Sequence, residues 1–194
     1  MKTPRRVFLI GTSHAYQFGE GVTFGDTTCT PEIATQFRQY LAYVHNLHGT
    51  RAFAEEMNLE GLAEMKQAAS LPKLVADELS ILHRYCDPTN QERAQLGIRQ
   101  DNDIRAEHMF DEWTQEQIEA DVLARGSVPS DRIREQFWLQ RSQGLHVWPL
   151  LFICGANHFT SFAALLRSAC IDVVEVHPDW APAANQGYGE SQVL

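Results

Sequence analysis

The sequence predicts an α/β protein with a mainly parallel central sheet flanked by helices, its site at the carboxyl ends of the strands. Two runs of large apolar residues, 6–10 (RVFLI) and 147–154 (VWPLLFIC), lack the polar alternation of a half-exposed strand and read as strands buried on both faces. Stretches of helical periodicity separate the strand candidates. A glycine, Gly11 or Gly155, stands directly after each run, where a parallel strand turns into its crossover.

The elements follow in order. After strand 6–10, the segment 11–29 carries four glycines and reads as a long loop, placed like a lid. Thr30-Pro31 opens a helix as N-cap and first helical residue. Ile33, Phe37, Leu41 and Val44 give it an inward stripe, and Gly49 ends it. Residues 51–57 (RAFAEEM) read as a second strand. Asn58 caps a helix to about Ala69. The stretch 71–86 is ambiguous; Val75, Leu79 and Leu82 favour a helix from about Lys73 to Tyr85, broken by Asp87-Pro88. A short helix covers 90–96. Residues 99–113 are charged without an apolar period and read as a loop or insertion. Thr114-x-x-Gln117 is a capping box for a helix over 115–125. A helix over 131–142, a strand over 147–154, a helix over 158–169 and a strand over 171–176 complete the domain. The tail 178–194 reads as irregular.

The chain has 194 residues, 44% hydrophobic and 21% charged, which suits a single domain over 1–194. Sixteen basic against 25 acidic residues give a formal charge of -9. Nucleic acid and anionic membrane surfaces are poor partners for that charge. No run of 18 apolar residues exists for a membrane span, and the apolar run after MKTPRR is too short for a secretion signal. Cys29, Cys86, Cys154 and Cys170 are scattered without C-x-x-C pairing and read as reduced, mostly buried thiols of a cytoplasmic protein.

The chemistry concentrates in a repeated pattern. Gly11-Thr12-Ser13-His14 follows the first strand and Gly155-Ala156-Asn157-His158 follows the strand 147–154. In an open parallel sheet the crevice beyond the carboxyl ends of the strands holds the ligand, so His14 and His158 are candidate site residues. Glu55-Glu56 ends the second strand, and adjacent strand residues face opposite ways. One of the two faces the crevice; the sequence leaves open which. Two imidazoles and a carboxylate suit a zinc-, manganese- or cobalt-type ion, with His14, His158 and Glu56 as ligands. Alternatively, one histidine is a general base without metal. Arg134, on the helix 131–142, is placed to hold a substrate carboxylate or a developing oxyanion. His177, after the last strand, is a further substrate-binding candidate. Asp87 before Pro88 reads as turn chemistry, and Cys154 beside His158 as inert packing. His45 and His48 read as a helix C-terminus favoured by the dipole. Nucleotide-cradling glycine motifs are absent from the first loop.

These motifs resemble the TraB/Tiki superfamily, which takes in erythromycin-esterase-like and ChaN-like proteins. The resemblance rests on FLIGTSH, on AFAEE and on REQFW followed by PLLFICGANHFTSFAALLRSACIDVVEV. It covers about half of the chain. It implies His14, His158, Glu55 or Glu56, and Arg134 as site residues. Glu135 stands where asparagine is common in that superfamily, and Trp138 where a smaller apolar residue is common. The implied function is a divalent-metal-dependent hydrolase of peptide or ester bonds, acting on a peptide or small molecule. The alternative is a non-catalytic protein that binds haem or another small molecule in the same crevice. Self-association stays open.

Overall fold

A computed structural model describes residues 4–110 and 112–182. The fold is α/β, with helices on both faces of a five-stranded sheet in which every pairing is parallel. Strand β1 (Arg6–Thr12) leads into helix α1 (His14–Phe18) and a two-stranded hairpin, β2 (Thr23–Phe24) and β3 (Thr27–Thr28). Helix α2 (Pro31–His48), strand β4 (Ala52–Glu55), helices α3 (Leu59–Glu64) and α4 (Leu71–Glu78) and strand β5 (Leu82–Tyr85) follow. Then come helices α5 (Asn90–Leu96), α6 (Asp101–Glu107), α7 (Gln115–Arg125) and α8 (Ser127–Gln143). Strand β6 (Leu150–Gly155), a 3-10 turn (Ala156–His158), helix α9 (Phe159–Ser168) and strand β7 (Asp172–Trp180) close the chain. The strand order is β5-β4-β6-β1-β7.

Several ends form where the sequence marks them. Thr30 Oγ1 accepts from Ile33 N, and Gly49 closes α2 in the left-handed conformation. Asn58 Oδ1 accepts from Gly61 N at 2.7 Å, and the Thr114–Gln117 capping box forms as expected. The core lies on both faces of the sheet. On β1, Phe8 and Ile10 pack with Phe37, Leu41 and Val75 of α2 and α4. The alternate residues Val7 and Leu9 pack with Trp138 of α8 and Phe162 and Leu166 of α9.

Five expectations are corrected. The segment 11–29 is not a plain loop, because Ser13 Oγ accepts from Ala15 N and starts α1, and the hairpin follows. Residues 73–85 are not one helix. Ser70 caps α4 with Pro72 in its first turn, and Ser80 (φ 56°) takes the left-handed conformation that ends it. Ile81 N then bonds back to Ala76 O, and residues 82–85 become the edge strand β5. Residues 101–107 form α6, anchored by the fully buried Ile104. The strand expected from 147 starts at Leu150, after a cis Trp148–Pro149 bond. The irregular tail begins later than 178: β7 runs to Trp180, whose ring packs against Phe37 at 4.6 Å. The rest of the predicted tail, 183–194, lies outside the described residues.

The topology places the site. From β1 the chain crosses over β6 to reach β4; from β6 it crosses over β1 to reach β7. The two loops therefore leave adjacent strands in opposite directions and open a crevice between them. Gly11 lets the edge strand close on this point. A Cβ there would stand 2.0 Å from the Pro178 carbonyl oxygen and 3.2 Å from Ala156 Cα. Among the described residues, no helix is long and apolar enough to cross a membrane. Cys29, Cys86 and Cys154 are buried and Cys170 is exposed, all as free thiols.

Because backbone on two sides confines Gly11, Gly11→Ala is expected to destabilise the fold by about 2 kcal/mol, the cost of overpacking a tight site. The midpoint of urea unfolding checks it; a wild-type midpoint would show that β7 yields freely.

Candidate active site

The site grows from strand parity. The backbone of β4 turns Glu55 and Glu56 to opposite sides. Glu56 faces the crevice: its Oε2 accepts from Gly155 N at 2.7 Å, while its own N–H donates to Ile153 O. Glu55 faces away. It is fully buried and bound to His83 Nε2 at 2.8 Å and to Ser70 Oγ. Of the pair at 55–56, Glu56 joins the cluster and Glu55 does not; Glu55 lies beneath α4 with His83 and Ser70.

Around the Glu56 carboxylate a guanidinium and two imidazoles converge. Arg134 Nη2 donates to Oε1 at 2.6 Å. His14 Nε2 lies 3.6 Å and His158 Nε2 3.5 Å from the same oxygen. The glycines of both G-x-x-H motifs serve by close approach. A Cβ on Gly155 would stand 2.9 Å from His14 Nε2 and 3.3 Å from Glu56 Oε2, so the missing side chain is what lets imidazole and carboxylate meet. Phe24, at the hairpin, stands edge-on to the His14 ring with centroids 5.3 Å apart.

Helix α8 supplies the next shell from one stripe. Residues 131, 134, 135 and 138 recur at helical spacing and face the crevice together. Arg134 Nη1 donates to Asp131 Oδ1 at 3.3 Å and Nε donates to Asp87 Oδ1 at 3.0 Å, with Nη2 ion-paired 2.9 Å from the same Asp87 oxygen. Trp138 Nε1 donates to the same Asp87 oxygen at 3.0 Å, and its ring lies under the guanidinium and against His158. Arg93 also binds Asp87. His158 Nδ1 pairs with Glu135 Oε1 at 3.1 Å, which in turn accepts from Ser161 Oγ at 2.5 Å.

The charges settle accordingly. Burial alone pushes the Glu56 carboxyl up, but His14, Arg134, His158 and the Gly155 N–H outweigh it and hold it below the ordinary carboxylate range. Burial pushes His158 down, yet the bond to Glu135 and the charge of Glu56 overcome both burial and the repulsion of Arg134, and its pKa is raised. Burial lifts the Cys154 thiol well above its usual value, and its Sγ bonds to Ile10 O at 3.8 Å; it is an inert thiol, as expected.

Of the sequence-predicted residues, His14, His158, Glu56 and Arg134 meet in one cluster. His177 does not join them. It lies on β7 against the ring of Tyr40, with Nδ1 buried and without a hydrogen-bond partner. Asp87, Asp131 and Glu135 were not predicted as site residues. The 131/134/135/138 spacing carried the signal for two of them; Asp87 had the form of an ordinary Asp-Pro turn.

The donor set suits a divalent ion poorly as arranged. The imidazoles of His14 and His158 both face Glu56 Oε1. But Arg134 already donates into the oxygen that both rings face, and its Nη1 lies 3.5 Å from His158 Nε2. A dication there would share its ligands with a permanent cation. Among the described residues, no group of three or more His, Cys, Asp or Glu side chains could hold a metal ion. No protein-family model, curated protein or solved structure matches the chain.

The two shifts give the site a stability window. The raised pKa of His158 supplies stability that is complete below the ordinary imidazole value of about 6.5 and is lost as pH rises through the folded value. The lowered pKa of Glu56 supplies stability that is complete above about 4.3 and is lost as pH falls through its folded value. Glu135→Gln removes the carboxylate that raises His158, so the loss of stability between pH 6 and pH 9 is expected to flatten. Urea unfolding at both pH values measures it; a wild-type slope in the variant would mean that Glu135 does not keep the imidazole charged.

Proposed function

We propose that the protein is a hydrolase of carboxylic esters, or of peptide bonds, that works by histidine general-base catalysis without a resident metal. One observation carries the reading: a single buried, ionised carboxylate, Glu56, faces two imidazoles and a guanidinium at the switch point of the sheet.

The two rings have different environments, and that difference assigns their roles. His158 is buried, tied through Nδ1 to Glu135 and raised in pKa, which favours its charged form, and it serves as the cation beside Glu56. His14 is the more open, its side chain 26% exposed at the crevice mouth. His14 Nε2 takes a proton from water as the water oxygen attacks the carbonyl carbon. Negative charge develops on the carbonyl oxygen, and Arg134 and the His158 Nε2–H lie ready to stabilise it. Collapse breaks the carbon–oxygen bond of the ester, and His14 returns its proton to the leaving alcohol. Glu56 offsets the positive charge of His14 while it holds that proton. Phe24 stands edge-on to the His14 ring and helps to fix its orientation.

A panel of 4-nitrophenyl and peptide substrates tests this. Folded His14→Ala is expected to lose at least 100-fold in kcat, the usual scale of a general base. Prolonged dialysis against a chelator is expected to leave the wild-type rate unchanged. Wild-type turnover by folded His14→Ala would sink the general-base assignment. Activity lost to the chelator and restored by manganese, cobalt or zinc would return the site to a metal mechanism.

A further inference from the structure

The site does not end at Arg134. The guanidinium forms one end of a cleft of about 380 Å³ that runs between the α5–α6 segment and the first turns of α8. A second hollow, of about 470 Å³, continues from it and shares Arg93 and Arg99. Volumes of this order hold a small organic molecule.

The charge of the cleft runs against that of the protein. The chain carries -9 overall, yet the lining holds four guanidiniums, of Arg93, Arg99, Arg105 and Arg134, against the carboxylates of Asp101 and Asp131. Asp131 serves the inner end and Asp101 acts on Arg105, and the lining still holds more guanidiniums than carboxylates. Asp131 is bridged to Arg134 and lies 3.8 Å from His158, at the inner end. Asp101 packs its Oδ1 against Gly126, where an added Cβ would come within 2.3 Å of it.

The four arginines are held in two ways. Arg93 and Arg134 are tied to the buried Asp87 and are fixed parts of the wall. Arg99 and Arg105 pair with Glu107 and Glu119, which stand outside the lining. Both of these pairs are exposed, with side chains 36–46% accessible. An exposed single contact such as Arg99–Glu107 contributes little and exchanges readily, while Arg105 grips Glu119 through Nε and Nη2 at 3.0 and 2.9 Å and leaves Nη1, 3.4 Å from Asn102 Oδ1, to turn to a ligand oxyanion.

We infer that this cleft is an oxyanion-binding subsite, and that the substrate carries a carboxylate or phosphate group held by Arg99 and Arg105 while its scissile bond lies at His14. The assignment of the scissile bond rests on the hydrolase reading; the anion site stands on the cleft alone. The planar forks of Arg99 and Arg105 suit both anions, so the experiment must separate them.

Calorimetric titration of the whole protein with inorganic phosphate and, separately, with succinate tests the inference. One of the two is expected to bind, more weakly as salt rises. Arg99→Gln/Arg105→Gln is expected to weaken that binding at least tenfold, and His14→Ala to leave it intact. Glu107→Gln/Glu119→Gln frees both guanidiniums and is expected to tighten it, which keeps the test open if the arginine variant fails to fold. Stronger binding of phosphate or of succinate identifies the group. Binding of neither anion to the wild type, or wild-type affinity in the folded arginine variant, would overturn the subsite. In turnover, an ester bearing the preferred anion is expected to show a lower KM than its neutral counterpart, an advantage lost in Arg99→Gln/Arg105→Gln. Anion binding without any ester hydrolysis would instead remove the hydrolase reading and leave the subsite standing.

Discussion

The carboxylate of Glu56 is a charge taken out of water, and most of the site follows from the need to compensate it. An isolated buried carboxylate is too costly to stay ionised. Here the compensation comes from three segments distant in sequence: Gly155 N–H and the His158 imidazole just beyond β6, Arg134 from α8, and the imidazole of His14 after β1. Each must arrive within a few ångströms, and each depends on a local device. Gly155 lacks the Cβ that would hold His14 away. Arg134 brings its own counter-charge problem, which Asp87 meets, and Asp87 in turn engages Trp138 and Arg93. The network extends outward until it reaches solvent-exposed groups.

That arrangement separates two histidines that are alike in sequence context. Both follow a G-x-x pattern at a strand end. Glu135 makes the difference, because only His158 has a second carboxylate at its other ring nitrogen. One ring is thereby held between two carboxylates, while the other pairs with Glu56. Environment assigns roles to chemically identical groups in this way elsewhere in enzyme chemistry.

Much of this was legible in the sequence, for physical reasons. Strands buried on both faces leave uninterrupted apolar runs, and capping residues such as Thr30 and Thr114 act through local backbone geometry alone. The parity of Glu55 and Glu56 was legible too. Its phase was not, because that depends on which neighbour each face meets. The strand Leu82–Tyr85 was hidden because Val75, Leu79 and Leu82 continue a helical period through Ser80, which leaves the helix by a left-handed residue without the usual glycine. Helix α6 was hidden because a single buried residue, Ile104, anchors it. Asp87 went unrecognised since a turn aspartate and a buried counter-ion look the same until the arginine is placed.

The position of β1 beside β6 also bears on how the chain reaches this state. Val7 pairs with Leu150 and Gly11 with Cys154, so the centre of the sheet joins segments separated by most of the sequence. The unit β4–β5, with Ala52 opposite Leu82, closes a far shorter loop. Loop closure of the longer kind is the slow event in assembling a sheet. During synthesis from the N-terminus, β1 and β4 emerge long before the strand that must lie between them. Two apolar strand edges are exposed throughout that interval, so β6 acts as a keystone, and the cluster around Glu56 cannot assemble before it is made.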